Sequence, residues 1–323
     1  MKQIAFDILG EPLEVLRVRE APIPNPGTGQ VRVRVRACPI NPSDDMFIRG
    51  EYRWRPSLPQ VAGLEGAGVV DATGPGVRIP RNTQVCFRAR GTWAEHVILS
   101  ADAVTPLPEG VPVEAACQLS LNPPTAWALL HEARLRSGDW LLLTGGASTV
   151  NLLVVQMARE RDIRTICTVR SPEKLPTLKS MGATEVIDTS AENLAEKVND
   201  LTDSRGVAGC FDAVGGGTAS DAYHSLAVKG RMLVYGRLSP DDFLLNNATL
   251  IYRNLTIKGF GIDDWLSSTP QATRNRMMKE LIEAVASARL RLPVAASYPL
   301  EKALEAISHS RASATVGKVL LTT

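Results

Sequence analysis

Hydrophobic and polar positions alternate in two different ways along the chain, and the change falls near residue 120. Before it lie short apolar runs interrupted by Gly and Pro, such as GQVRVRVRACPI at residues 29–40. In that run Val31, Val33 and Val35 alternate with arginines, and a period of two predicts a strand with one face in water. The first part of the chain is therefore predicted to be a β domain.

From residue 139 onward, apolar strands alternate with helical segments. Strands are expected at 140–144, 163–169, 184–187, 209–214 and 230–235. Helices are expected at 150–161, 172–181, 190–200, 217–227 and 272–288. This repeated βαβ order predicts an α/β fold in which a parallel sheet is covered by helices on both faces.

The length of 323 residues exceeds what one hydrophobic core usually organises, so we expect two domains. From residue 294 the chain returns to short strands around one helix, in a segment too short to fold alone. We therefore predict one domain from residues 1–117 with 294–323, and a second from residues 118–293.

Composition and charge exclude several classes of protein. A net charge of +2 with no long basic block argues against a nucleic-acid partner. No apolar run reaches the ~18 residues of a membrane span, and the first residues suit neither a signal peptide nor a transit peptide. The five cysteines are scattered and odd in number, which predicts reduced thiols and a cytoplasmic location.

The stretch WLLLTGGASTVNLLVVQMA, residues 140–158, predicts a strand, a tight turn and a helix. A dinucleotide-binding turn carries glycines at the first, third and sixth positions of GxGxxG, where this chain has Gly146, Ser148 and Asn151. The pyrophosphate of such a cofactor lies over the helix N-terminus, where free N–H groups and the helix dipole favour an anion. Those donors remain here, so we predict a Rossmann-type, doubly wound parallel sheet that binds a dinucleotide.

The end of the next strand indicates which dinucleotide is bound. About 20 residues beyond the turn, an NAD site carries an acidic residue for the ribose, whereas an NADP site carries a group for the 2′-phosphate. Here Arg170 occupies that position, and a planar guanidinium suits a phosphate. The sequence therefore predicts NADPH as the cofactor.

Several motifs resemble those of the medium-chain dehydrogenase/reductases, and the resemblance covers nearly the whole chain. These motifs are GTWAEH at 91–96, LNPPTAWALL at 121–130, CFDAVGGG at 210–217, GRMLVYG at 230–236 and NLTIKGF at 254–260. The NPSD at 41–44 followed by GEY, the NPPTA at 122–126 and the closing GKVLLTT are similar to the mitochondrial-type 2-enoyl thioester reductases. Quinone oxidoreductases are near relatives of that group. The resemblance implies a Rossmann domain inserted in a GroES-like β domain.

The zinc-dependent alcohol dehydrogenases of the same superfamily differ from this chain at their metal ligands. Leu64 stands where they have a histidine, and Asn41 stands where they have a cysteine. A catalytic zinc needs three N, O or S ligands and an open position. We therefore predict a zinc-independent enzyme without a metal site.

The resemblance implies roles for individual residues. Tyr52 in GEY corresponds to a proton-donating tyrosine, which suits a reaction in which hydride addition creates an enolate that must be protonated. Asn122 corresponds to a residue near the nicotinamide, and Arg170 to the 2′-phosphate ligand. The other predicted cofactor contacts are Gly146, Ala147, Ser148, Thr149, Val150, Asn151, Tyr235, Gly236, Arg237, Leu238, Phe260 and Lys318.

The predicted function is therefore the NADPH-dependent reduction of an activated carbon–carbon double bond, with an enoyl-CoA or enoyl-acyl carrier protein as substrate. An NADPH:quinone or enone oxidoreductase is one alternative. A nucleotide-binding or regulatory protein without turnover is the other, and Asn151 is its main argument. By resemblance, the strand at 254–260 pairs with that of a second subunit, so we expect a homodimer.

Overall fold

The computed structural model describes residues 1–312 and 316–323, and the chain divides into two compact units. One unit comprises Met1–Pro123 with Lys279–Thr323, and the other comprises Pro124–Met278. The boundaries predicted from the sequence, after residue 117 and before residue 294, stay a prediction.

The first unit is built mainly from strands. They are β1 (Lys2–Phe6), β2 (Arg17–Glu20), β3 (Gln30–Pro39), β4 (Gln60–Val61), β5 (Glu65–Thr73), β6 (Gln84–Arg88), β7 (His96–Ser100) and β8 (Val104–Pro106). Its helices in this part of the chain are α1 (Pro12–Val15), α2 (Pro42–Arg49) and α3 (Val113–Ala116), and α4 (Asn122–Ala133) starts at its end.

The second unit alternates strands and helices. Its strands are β9 (Trp140–Leu143), β10 (Arg164–Val169), β11 (Glu185–Asp188), β12 (Val207–Asp212), β13 (Leu226–Val234) and β14 (Thr256–Gly259). Its helices are α5 (Thr149–Arg159), α6 (Leu175–Met181), α7 (Leu194–Leu201), α8 (Gly216–His224), α9 (Asn247–Tyr252) and α10 (Ile262–Ser268). The helix α11 (Gln271–Ala286) leads back to the first unit, which ends with β15 (Val294–Pro299), α12 (Ala303–Ser310) and β16 (Lys318–Thr322).

The main sheet of the first unit has the order β15–β16–β3–β5–β6–β8, and β7 also pairs with β3. A smaller sheet has the order β2–β1–β4. In β3, Val31, Val33 and Val35 are fully buried, which confirms the strand predicted from the period of two. The core between these elements contains the large side chains of Phe47 and Trp93.

The sheet of the second unit has the order β11–β10–β9–β12–β13–β14, and every neighbouring pair is parallel. The chain moves outward from β9 in one direction to β11 and then continues from β12 in the other direction. This reversal is the switch point at which doubly wound sheets bind ligands, beyond the carboxyl ends of the strands. The predicted α/β fold with a parallel sheet is confirmed.

Candidate active site

The turn after β9 brings two chain segments unusually close. A Cβ atom at Gly146 would lie 2.5 Å from the Cβ of Cys167 in β10, so a side chain has no room there. The Gly146 N–H also donates to the Thr168 carbonyl at 2.8 Å. Glycine at the first position of the pattern is therefore required by the close approach of the turn to the neighbouring strand.

Ser148 ends the turn as the N-cap residue of α5, and its Oγ accepts the Asn151 N–H at 3.4 Å. Within residues 1–312 and 316–323, the N–H groups of Ala147, Thr149 and Val150 donate to no protein acceptor. Unpaired N–H groups at a helix N-terminus attract an anion. The start of α5 therefore fits the pyrophosphate of a dinucleotide.

The Asn151 side chain is fully buried between the turn and the strand ends. Its Nδ2 donates to the Thr144 carbonyl at 2.8 Å and to the Gly145 carbonyl at 3.2 Å, and its Oδ1 accepts the Tyr235 hydroxyl at 3.0 Å. The amide thus occupies the space that a glycine would leave open and bonds the turn to the end of β13. The cofactor contact predicted for Asn151 stays a prediction.

The segment after β13 begins with Tyr235, whose N–H donates to the Asp212 carbonyl at 2.9 Å. Burial of the hydroxyl raises the pKa of Tyr235 above its ordinary value. A Cβ at Gly236 would lie 2.5 Å from the Ala213 carbonyl oxygen, so the close backbone approach requires glycine at this position as well. Arg237 and Leu238 are exposed.

Two further predicted residues directly follow β10 and β14, strands that are not adjacent in the sheet. Arg170 comes directly after β10, is exposed, and forms no ion pair with any other residue in the described part of the chain. Phe260 follows β14, is 9% exposed, and donates its N–H to the Val234 carbonyl at 2.8 Å. Because the strands are parallel, these segments and the turn lie at one edge of the sheet, beyond its carboxyl ends.

A buried polar cluster at the same edge was missed from the sequence. Thr144 donates its hydroxyl to Asp212 Oδ1 at 2.5 Å, and Asp212 also accepts the N–H groups of Val214 and Gly215. The Gly145 N–H donates to the Thr168 hydroxyl at 3.2 Å. Polar residues that end apolar strands were the available signal, since such residues are buried only when they are hydrogen-bonded.

The first unit contains a second buried polar network. Glu65 Oε1 accepts the Ser120 N–H at 2.9 Å, and Glu65 Oε2 accepts Asn41 Nδ2 at 3.1 Å. Asn41 Oδ1 in turn accepts Asn122 Nδ2 at 3.2 Å. Asn122 is therefore held by a chain of hydrogen bonds that ends on a buried carboxyl group.

Lys318 is buried next to this network, and its Nζ lies 3.3 Å from the Ile40 carbonyl oxygen. Burial lowers the pKa of Lys318 to about 8, although the carboxyl groups of Glu65 and Asp44 oppose that shift. Burial also raises the pKa of Glu65 and of Asp44 to about 7. The cofactor contacts predicted for Asn122 and Lys318 stay predictions.

Tyr52 lies in the loop after α2, where its N–H donates to the Met46 carbonyl at 3.1 Å. Its hydroxyl oxygen accepts Arg88 Nη2 at 3.1 Å, and its ring meets the Trp54 ring edge-on at a centroid distance of 6.1 Å. The structure therefore presents the predicted proton donor with a guanidinium group as neighbour. Arg88 could not be singled out from the sequence, because it lies 36 residues from Tyr52.

The described residues contain no group of three or more His, Cys, Asp or Glu side chains arranged to hold a metal ion. Asn41 and Leu64, which replace the zinc ligands of the alcohol dehydrogenases, are both buried. Among the described residues, no helix has both the length and the apolar composition needed to cross a bilayer.

Comparisons with known proteins agree with this architecture. The chain matches the alcohol dehydrogenase GroES-like domain over residues 27–109 and the zinc-binding dehydrogenase family over residues 149–283. A Xenopus tropicalis protein named mitochondrial enoyl-[acyl-carrier-protein] reductase is 31% identical over 95% of this chain and 91% of its own length. A quinone oxidoreductase of Pseudomonas aeruginosa is 30% identical over 99% of both chains.

Solved structures give the same result. The crystal structure of Escherichia coli quinone oxidoreductase in complex with NADPH has a TM-score of 0.92 and 27% identity, and the match covers 100% of both chains. The matches confirm the resemblance and the fold that the motifs predict.

Proposed function

Because the chain belongs to the medium-chain dehydrogenase/reductase superfamily, we propose that it is an NADPH-dependent reductase of an activated carbon–carbon double bond. A 2-enoyl thioester carried by CoA or by an acyl carrier protein is the proposed substrate. The observation that carries this proposal is the Tyr52 hydroxyl, whose oxygen lies 3.1 Å from Nη2 of Arg88. In the same unit, Asn41 and Leu64 stand where the zinc-dependent alcohol dehydrogenases have metal ligands.

The second unit supplies the proposed cofactor site. The unpaired N–H groups of Ala147, Thr149 and Val150 would bind the pyrophosphate, and Arg170 would bind the 2′-phosphate. The Tyr235 hydroxyl donates to Asn151 Oδ1, and the Phe260 N–H donates to the Val234 carbonyl at the same edge of the sheet. When bound, NADPH supplies the hydride for the reaction.

The first unit supplies the proposed proton donor. Addition of hydride to Cβ of an enoyl thioester places negative charge on the thioester oxygen and Cα, so a proton must reach Cα. The Tyr52 hydroxyl is proposed to deliver that proton. A phenol is neutral in its resting form and carries charge only after the proton has left.

A quinone or enone oxidoreductase is the second candidate, and it is supported by the similarity to quinone oxidoreductases of Pseudomonas aeruginosa and Escherichia coli. The hypothesis of a binding protein without turnover rested on Asn151. The hydrogen bonds of that side chain within the turn account for the departure from glycine and leave the helix N-terminus free. The chain is an enzyme, an NADPH-dependent oxidoreductase of the medium-chain dehydrogenase/reductase superfamily.

We also propose that the protein is a homodimer. The strand β14 is an edge strand of the sheet in the second unit. An edge strand exposes backbone N–H and C=O groups that can pair with a strand of another chain. Near the start of β14 lie Val228, Ile251 and Tyr252, which are 66%, 69% and 83% exposed. Exposed apolar side chains grouped at one place mark an interaction surface. The cytoplasmic location predicted from the cysteines stays a prediction.

Two measurements test the proposed function. A fluorescence titration with NADPH is expected to saturate, and the absence of saturable binding would remove every enzymatic claim. Turnover is then compared on crotonyl-CoA, an enoyl chain on acyl carrier protein, a free enone and a quinone. We expect the highest kcat/KM for a thioester, and a clear preference for the quinone or the free enone would favour the second candidate.

A further inference from the structure

Arg88 is the last residue of β6 and lies between an aromatic ring and the Tyr52 hydroxyl. Its guanidinium carbon stands 4.6 Å from the centroid of the Trp54 ring, in a cation–π arrangement. Its Nη2 donates to the Tyr52 hydroxyl oxygen at 3.1 Å. Because Trp54 also packs edge-on against Tyr52, the three side chains hold one another in a fixed arrangement.

The direction of the hydrogen bond between Arg88 and Tyr52 has a chemical consequence. A guanidinium group carries only donors and stays protonated in proteins, so it cannot accept the hydroxyl hydrogen of Tyr52. The oxygen of Tyr52 is therefore the acceptor, and its hydrogen must point toward a different group. This is the orientation that a proton donor needs.

The cross-strand neighbour of Arg88 is a buried carboxyl group that also accepts hydrogen bonds from elsewhere in the first unit. Glu65 lies opposite Arg88 in the pairing of β5 with β6. One oxygen of the Glu65 carboxyl group accepts the Ser120 N–H, and the other accepts the Asn41 side-chain amide. Burial raises the pKa of Glu65 and the charge of Arg88 opposes that shift, while Arg88 Nη2 donates to the Tyr52 hydroxyl oxygen.

We infer that Arg88 is a positioning residue for Tyr52, which directs the hydroxyl hydrogen outward and stabilises the phenolate left after proton transfer. The inference rests on the proposed function. In that step the O–H bond of Tyr52 breaks, its electron pair stays on the oxygen, and a C–H bond forms at Cα of the enolate. Water then returns a proton to the phenolate. A charge-assisted hydrogen bond is stronger when its acceptor is an anion, so Arg88 favours the transition state over the resting enzyme.

The test is a double-mutant cycle on the full-length protein with NADPH and crotonyl-CoA. Arg88→Met keeps an unbranched side chain and removes the donors, and we expect kcat to fall about 10- to 100-fold while the Kd for NADPH changes less than about twofold. Arg88→Lys restores a charged donor and should recover part of the loss. Arg90→Met is the matched control, because the Arg90 side chain donates to the Arg55 carbonyl and not to Tyr52.

Tyr52→Phe separates this role from a structural one. In the Tyr52→Phe background, Arg88→Met should cause no further loss of kcat, since the atom on which Arg88 acts is gone. An equal loss in both backgrounds would overturn the role of Arg88 and leave the proposed function standing. Parent-like kcat for Tyr52→Phe would instead overturn Tyr52 as proton donor, and the inference with it. If Arg88→Met does not fold, the same cycle is run with Arg88→Lys, where the partial loss must likewise vanish without the hydroxyl.

Discussion

Asn151→Leu keeps a side chain of similar size at the start of α5 and removes every polar atom from it. The substitution breaks the bonds from Nδ2 to the carbonyls of Thr144 and Gly145, and the bond from the Tyr235 hydroxyl to Oδ1. A hydrogen bond contributes about 1 kcal/mol, and a buried polar group left unpaired costs about 1–3 kcal/mol. We expect the free energy of unfolding to fall by about 2–4 kcal/mol.

Urea denaturation followed by circular dichroism measures this loss, as a lower midpoint at an unchanged slope. Asn199→Leu is the matched control, since it makes the same chemical change at an exposed position of α7 and should stay within about 0.5 kcal/mol of the parent. Tyr235→Phe tests the coupling. It should cost about 1 kcal/mol in the parent and less in the Asn151→Leu background. Parent-like stability of Asn151→Leu, or no coupling to Tyr235, would refute the reasoning.

The affinity for NADPH distinguishes a supporting role of Asn151 from a direct contact with the cofactor. Asn151→Gly removes the amide but leaves the unpaired N–H groups at the start of α5. We expect the folded variant to bind NADPH at least as well as the parent. A loss of more than about 1 kcal/mol in binding would mean that the amide contacts the cofactor.

Four further predictions concern the cofactor, the buried carboxyl group, the assembly and the metal. Arg170→Ala should weaken the binding of NADPH by about 1.5–3 kcal/mol and leave the binding of NADH nearly unchanged. Equal losses of affinity for both cofactors would make Arg170 structural. Arg164→Ala, at the other end of β10, is the control. Burial raises the pKa of Glu65 from 4.5 to about 7, so the fold holds this proton more tightly than the unfolded chain does. The free energy of unfolding, relative to that of Glu65→Gln, should therefore decrease between about pH 5 and about pH 7.5, and a constant difference in denaturation experiments would contradict this. Light scattering at micromolar concentration should give about twice the chain mass of 34.9 kDa, and the single mass would count against the pairing of β14. Turnover should survive treatment with a chelator, and its loss together with released zinc would reverse the assignment to the zinc-independent branch.

The sheet of the second unit could be predicted because its strands are continuous apolar runs between amphipathic helices. The strand ends were less accurate where the backbone is irregular. The strand expected at 230–235 spans Leu226–Val234. Lys229 within it has a positive φ of 63°, and the register with β12 shifts between Val207 and Gly209, an irregularity that the pattern of apolar residues does not signal. The helix expected at 172–181 begins at Leu175, after a 3₁₀ turn at Pro172–Lys174.

The candidate site could be predicted only where its residues are close in sequence. The turn at 144–151 is one motif, so its order of strand, turn and helix was sufficient. Asn41 is 24 residues from Glu65 and 81 residues from Asn122. Only the folded chain brings these three residues together. Arg88 reaches Tyr52 across 36 residues for the same reason. No local pattern marks such pairs.

Every cysteine of the chain is buried, and burial raises the pKa of each thiol, to about 11 in Cys86 and about 12 in Cys167. Enoyl thioesters, enones and quinones are electrophiles that add to thiolates. Such an addition needs a deprotonated sulfur that the molecule can reach. All five sulfur atoms are buried and burial favours the protonated thiol, so they offer neither. We therefore expect reactive acceptors of the proposed substrate class to leave the cysteines of the folded protein unmodified.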